Sequence, residues 1–129
     1  MADGRHIEIL RAGLSRACSL RADLERELAD LAESTSQVPD DEHDAEGSTV
    51  GYERARVTAL LAATRREIDD LTDALARATG DAPAEACAYG RCQGCGAPIG
   101  AERLAAIPTA VTCMTCATSG THAGFRLVR

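Results

Sequence analysis

The 129-residue chain has no lysine, no tryptophan and only three aromatic residues, Tyr52, Tyr89 and Phe125. A broad globular core leans on large aromatic side chains, so a single wide core is not expected. The Leu, Ala, Ile and Val that are present suit narrow seams between helices. No run of about 18 apolar residues occurs, and no membrane span or membrane partner is expected. The N-terminal residues mix Asp3 and Glu8 with Arg5 and Arg11 and carry no apolar segment. A secretory signal is therefore not expected, and a cytoplasmic location is. There is no Ser/His/Asp order, phosphate loop, HExxH or paired-carboxylate motif, so no catalytic residues are assigned and the chain reads as non-enzymatic.

Basic charge is scarce. Fourteen Arg oppose 20 acids, giving a net charge of −6. From Glu27 to Glu53 there are nine acids and no Arg. From Cys87 to Arg129 there are four Arg and one Glu. A general nucleic-acid binder carries a concentrated basic patch, which this distribution lacks. Sequence-specific DNA binding is not expected.

Two segments carry helical periodicity. In the first, Ile7, Leu10, Leu14, Ala17, Arg21, Leu24, Leu28 and Leu31 recur in alternating steps of three and four, a heptad pattern with one polar interruption. Asp3 is a candidate N-cap, and the helix is expected from about residue 5 to about residue 35. The second segment runs Val50, Arg54, Val57, Leu61, Thr64, Ile68, Leu71, Leu75, Ala78, with Ser48 or Thr49 as cap. Gly80 and Pro83 stop it.

Two such helices with a short connection fold back as an antiparallel hairpin. Pairing Leu24 with Leu61 and Leu28 with Val57 sets a register in which partners sum to 85. Arg21 and Thr64, the two polar residues in mid-seam, then share a layer. Leu31 meets Arg54 in the weak layer beside the turn. The fold expected is mainly α, with a long antiparallel helical hairpin, or coiled coil, over residues 1–86 and a small zinc-finger module with a short irregular tail over 87–129. The register centres the turn on Glu42 and His43, inside an acidic tip at about 37–48. Asp40, Asp41, Glu42, Asp44 and Glu46 crowd there, and like charges so close repel one another.

The chemistry lies in Cys92-x₂-Cys95-x₁₇-Cys113-x₂-Cys116. Two CxxC knuckles at this separation are a strong zinc signal. Gly94 and Gly96 let backbone N–H groups turn toward the thiolates. Four Cys leave no coordination position for water, so the one Zn²⁺ is structural. Ile99, Leu104, Ile107 and Val111 are the module's main apolar content, too little to fold it without metal. Cys18 reads as a packed side chain beside the seam and Cys87 as a spare thiol. His6, His43 and His122 lack ligand spacing.

The run Tyr89-Gly90-x-Cys92-x₂-Cys95-Gly96-x₂-Ile99-x₃-Arg103-Leu104-x-Ala106-x-Pro108-x₄-Cys113-x₂-Cys116 resembles the signature of the DksA/TraR C4-type zinc-finger family. An antiparallel hairpin with an acidic tip is similar to that family's coiled coil. The resemblance implies a transcription regulator that binds RNA polymerase directly. It implies that the coiled coil enters the secondary channel, that the tip approaches the active centre, and that initiation is modulated, often together with ppGpp. The tip departs from the best-known members, which carry two Asp three apart and an Ala two residues later. Asp41 and Asp44 have that spacing, but Glu46 stands where Ala would. Shifting by one fits Asp40 and Ala45 but places His43 at the second Asp. The segment from His43 to Thr49 looks more like the variant tip of high-GC Gram-positive members. The tail from Ala117 to Arg129 shows no helical period, unlike the family's C-terminal helix. Polymerase is thus the partner the resemblance supports first, ahead of ppGpp. Two other readings compete: a zinc-dependent nucleic-acid-binding module using Arg91, Arg103, Arg126 and Arg129, and a thiol redox sensor.

Overall fold

The computed structural model describes residues 3–36 and 45–119. It is mainly α. Two long helices, α1 (Gly4–Ser36) and α2 (Ala45–Thr79), pack against one another, and two short helices follow, α3 (Ala101–Ala106) and α4 (Met114–Ser119). Among the described residues there is no strand, only an isolated antiparallel bridge between Arg91 and Pro98. No helix among them is long and apolar enough to cross a membrane.

Local chemistry sets the helix ends. Asp3 caps α1 as expected: its carboxylate accepts the His6 backbone N–H at 3.1 Å, and His6 Nδ1 lies 2.9 Å from the same oxygen. The amide bond first, and the ring bond with it, hold the Asp3 carboxyl below its usual range. At the end of α2, Gly80 takes a left-handed φ of 85°. The Asp81 N–H can then reach back to the Ala76 carbonyl at 2.8 Å, which closes the helix. The start of α2 differs from expectation. It begins at Ala45, so Ser48 and Thr49 lie inside the helix rather than capping it. Neither is a helix breaker.

The chain divides into two compact units that cut across both long helices. The first is Leu14–Asp69. Here Leu24, Val57 and Leu61 form a buried cluster, with Leu28 and Leu31 packed against it. These residues come from the layers the mirror register assigns to one another. Ion pairs link the helices, among them Glu25 with Arg65 at 3.3 Å and Glu27 with Arg56 at 3.5 Å. The higher-numbered acid meets the lower-numbered Arg, so the helices run antiparallel. All four side chains are well exposed, so the pairs add little stability. Ala17 is buried. Thr64 is buried too, its hydroxyl donating to the Leu60 carbonyl one turn back at 2.8 Å. That local bond lets a polar residue occupy the seam. Arg21 is half-buried, while Arg54 is exposed.

The second unit joins the start of α1, through Gly13, to the chain from Asp70 onward. Leu10, Leu71, Ala74 and Ala78 are buried in it. Ala74 is fully buried while Leu75, expected in the seam, is only half-buried. The His6 ring packs on Tyr89, with ring centres 5.8 Å apart.

Candidate metal centre

The first knuckle is built on backbone hydrogen bonds. Cys92 N–H donates to the Ala97 carbonyl at 2.8 Å, and Gly96 N–H returns to the Cys92 carbonyl at 2.9 Å. Gly96 holds φ at 76°, a conformation that side chains resist. The turn brings the Gly94 N–H to 3.4 Å from Cys92 Sγ. Beyond the knuckle, Ile99 N–H donates to the Gly90 carbonyl at 2.7 Å and leads into α3. The second knuckle runs directly into α4, whose first turn includes Ala117 N–H donating to the Cys113 carbonyl at 2.9 Å. Residues 117–119, expected to be irregular, are therefore helical. The knuckle itself fixes the first turn.

Several links join the two knuckles. Gln93 N–H donates to the Val111 carbonyl at 2.8 Å. The Tyr89 hydroxyl donates to the Pro108 carbonyl at 2.8 Å. Arg103 Nε donates to the Thr112 carbonyl at 2.8 Å. Ile99 and Leu104 are buried as expected, but Ile107 is 44% exposed. Ile107 caps the end of α3, where its N–H bonds to the Arg103 carbonyl and its side chain turns outward. Buried Tyr89 and Ala110 supply apolar surface in place of Ile107.

Cys92, Cys95, Cys113 and Cys116 converge. Their four sulfurs all lie within 4.8 Å of one another. Cys95 Sγ and Cys113 Sγ are 3.8 Å apart. A tetrahedron with Zn–S bonds of about 2.3 Å has edges of about 3.8 Å, so the donor set fits one zinc ion. The four thiolates would hold it, and bound zinc supplies a cross-link and positive charge. The surroundings prepare unequal ligands. The Cys113 backbone amide, with those of Cys95 and Gly94, holds the Cys92 thiol down to about 5. Burial pushes Cys116 up to about 12, and hydrogen bonding of its thiol to the neighbouring sulfurs adds to that. Both Cys92 and Cys116 are buried, while Cys95 is exposed.

Cys87 stands outside this set. Its thiol lies 3.6 Å from the Arg91 carbonyl and 3.8 Å from the Cys92 carbonyl. Cys18 is half-buried on α1. Of the Arg residues a nucleic-acid reading would use, Arg91 donates to the Gly96 carbonyl at 3.3 Å and Arg103 to Thr112. Both serve the module's own backbone. Arg126 and Arg129 lie outside the described residues, as do His43, His122 and the tip acids Asp40, Asp41, Glu42 and Asp44. Glu46 falls in the first turn of α2.

The comparisons with known proteins agree with this geometry. Residues 88–119 match the family described as the prokaryotic dksA/traR C4-type zinc finger. The matched segment takes in both knuckles, α3 and α4. No curated protein matches the sequence. Among solved structures, the transcription factor DksA2 from Pseudomonas aeruginosa is similar, at 29% identity and a TM-score of 0.61. The match covers 96% of this chain and 88% of that one. It therefore takes in the helices as well as the DksA/TraR-type finger.

Proposed function

We propose that the protein is a cytoplasmic transcription regulator that binds RNA polymerase directly and modulates initiation. The observation that carries this reading is the likeness to the transcription factor DksA2 over 96% of the chain, helices and finger together. In this reading the hairpin is a rod that enters the secondary channel. The acidic stretch of Asp40, Asp41, Glu42, Asp44 and Glu46 works near the active centre, and the stem and finger supply most of the affinity. A pair of long helices with an apolar seam suits that task, because a narrow rod can carry carboxylates into a deep channel. Arg91 and Arg103 are engaged with the finger's own backbone, which favours a protein partner over a nucleic acid.

The test separates binding from outcome. Replacing Asp41 and Asp44 together by Asn keeps shape and removes two charges. Polymerase affinity should stay within about tenfold, or roughly 1.4 kcal/mol, while the effect on promoter-complex lifetime disappears. A double variant that regulates as well as the parent would reduce the acidic stretch to a solvated turn.

A further inference from the structure

We infer that Arg103 positions the second cysteine pair for zinc. Arg103 lies on α3, and α3 is tied to the first knuckle. Ile99, just before the helix, donates its N–H to the Gly90 carbonyl at 2.7 Å. Leu104, the next residue after Arg103, is buried and lies beside Gly90, where a Cβ would meet Leu104 Cδ1 at an ordinary contact distance of 3.7 Å. A side chain on α3 therefore moves with Cys92 and Cys95.

From that platform, half-buried Arg103 reaches nine residues ahead. Its Nε donates at 2.8 Å to the carbonyl of Thr112, the residue that precedes Cys113. Thr112 is itself buried. A guanidinium donor makes a stronger bond than a neutral one. The Gln93 N–H holds the adjoining Val111 carbonyl at 2.8 Å from the opposite knuckle. Two consecutive carbonyls are thus fixed just ahead of Cys113. The Cys113 amide is aimed at Cys92 Sγ, and its thiol lies 3.8 Å from Cys95 Sγ.

The consequence concerns assembly of the donor set. The knuckles are separated by 17 residues, and that span must bring Cys113 and Cys116 to the first pair as the metal binds. Arg103 is the side chain that does so from α3. It also brings a positive charge to within one residue of a ligand, where four thiolates on a dication leave net negative charge. Partners that orient metal ligands typically change metal affinity by about 10- to 100-fold when removed. The assignment holds whether or not the chain binds polymerase.

The experiment uses the full chain, zinc, and a chromophoric chelator as competitor. Cobalt(II) substitution reports the ligand field. Arg103→Ala should bind zinc about 10- to 100-fold more weakly than the parent. Its cobalt complex should show weakened or displaced d–d bands. Arg103→Lys keeps the charge and can reach the same carbonyl, so it should remain within about tenfold of the parent and keep the tetrahedral spectrum. Because Arg103→Ala could fail to fold, the Lys variant also decides. A Lys variant as weak as Ala would overturn the assignment. So would an Ala variant that matches the parent within about twofold and gives an unchanged cobalt spectrum.

Discussion

The Tyr89 hydroxyl donates to the Pro108 carbonyl at 2.8 Å, while the ring of His6, on α1, lies 5.8 Å from the Tyr89 ring. One buried aromatic thus connects the first turns of the long helix, the approach to the first knuckle and the loop before the second. In a chain with three aromatics, this one is spent on joining segments rather than on filling a wide core.

Tyr89→Phe keeps the ring and removes the hydrogen bond, so it should destabilise the protein by about 1 kcal/mol and leave the zinc content at one equivalent. Burial raises the phenol's pKa above 10, with Asp3 adding to the rise and Arg77 opposing it. A raised folded-state pKa gives stability that is present below the unfolded value and lost as pH rises through the folded one. The difference between parent and Phe variant should therefore be flat from about pH 6 to 9 and shrink above about pH 10. Denaturant titrations across that range check it.

Metal content is the next expectation. Freshly reduced protein should contain one zinc per chain. Cys113→Ser should lower that content and loosen residues 88–119, read by hydrogen exchange. Cys87→Ser should keep the full equivalent, because its thiol faces carbonyls outside the ligand set.

The pH dependence of zinc binding follows from the same ligands. In the folded geometry Cys92 is held down to about 5 and Cys116 is pushed up to about 12, so at neutral pH Cys116 keeps its proton. Binding must displace the Cys116 proton, so affinity should rise with pH and fall on acidification. Chelator competition at about pH 6 and pH 8 measures this. Equal affinity at both would show that no proton leaves.

The hairpin register makes a mechanical prediction. Cys at positions 24 and 61, in a background without Cys18 and Cys87, should form a disulfide readily. A pair at 24 and 68 should not, because one heptad displaces it by about 10 Å. Leu61→Ala should cost about 2–5 kcal/mol, since Leu61 sits in the Leu24–Val57 cluster.

The heptads made the hairpin legible. A register derived from pairing Leu24 with Leu61 matches the observed cluster, and Thr64 occupies its seam position by turning its hydroxyl onto its own helix. The CxxC spacing made the metal ligands legible for a different reason: two tight turns leave sulfurs few other places to converge. Less was legible where the outcome depended on tertiary packing. Ile107 is apolar, yet the end of α3 turns it outward, and Ala74 is buried ahead of the larger Leu75. The start of α2 at Ala45 was hidden because Ser48 and Thr49 look like caps while tolerating a helix. Arg103 belonged to a recognisable motif, but its bond to Thr112 spans nine residues and no periodicity announces it.

The central claim is direct engagement of RNA polymerase, and the most direct measurement is binding of the purified, zinc-loaded chain to purified polymerase, with no nucleic acid present. The account predicts a saturable complex of one chain per polymerase with a Kd of about 1 µM or tighter, roughly −8 kcal/mol, weakened when zinc is removed. No complex at chain concentrations tenfold above that, with the zinc site filled, would contradict it.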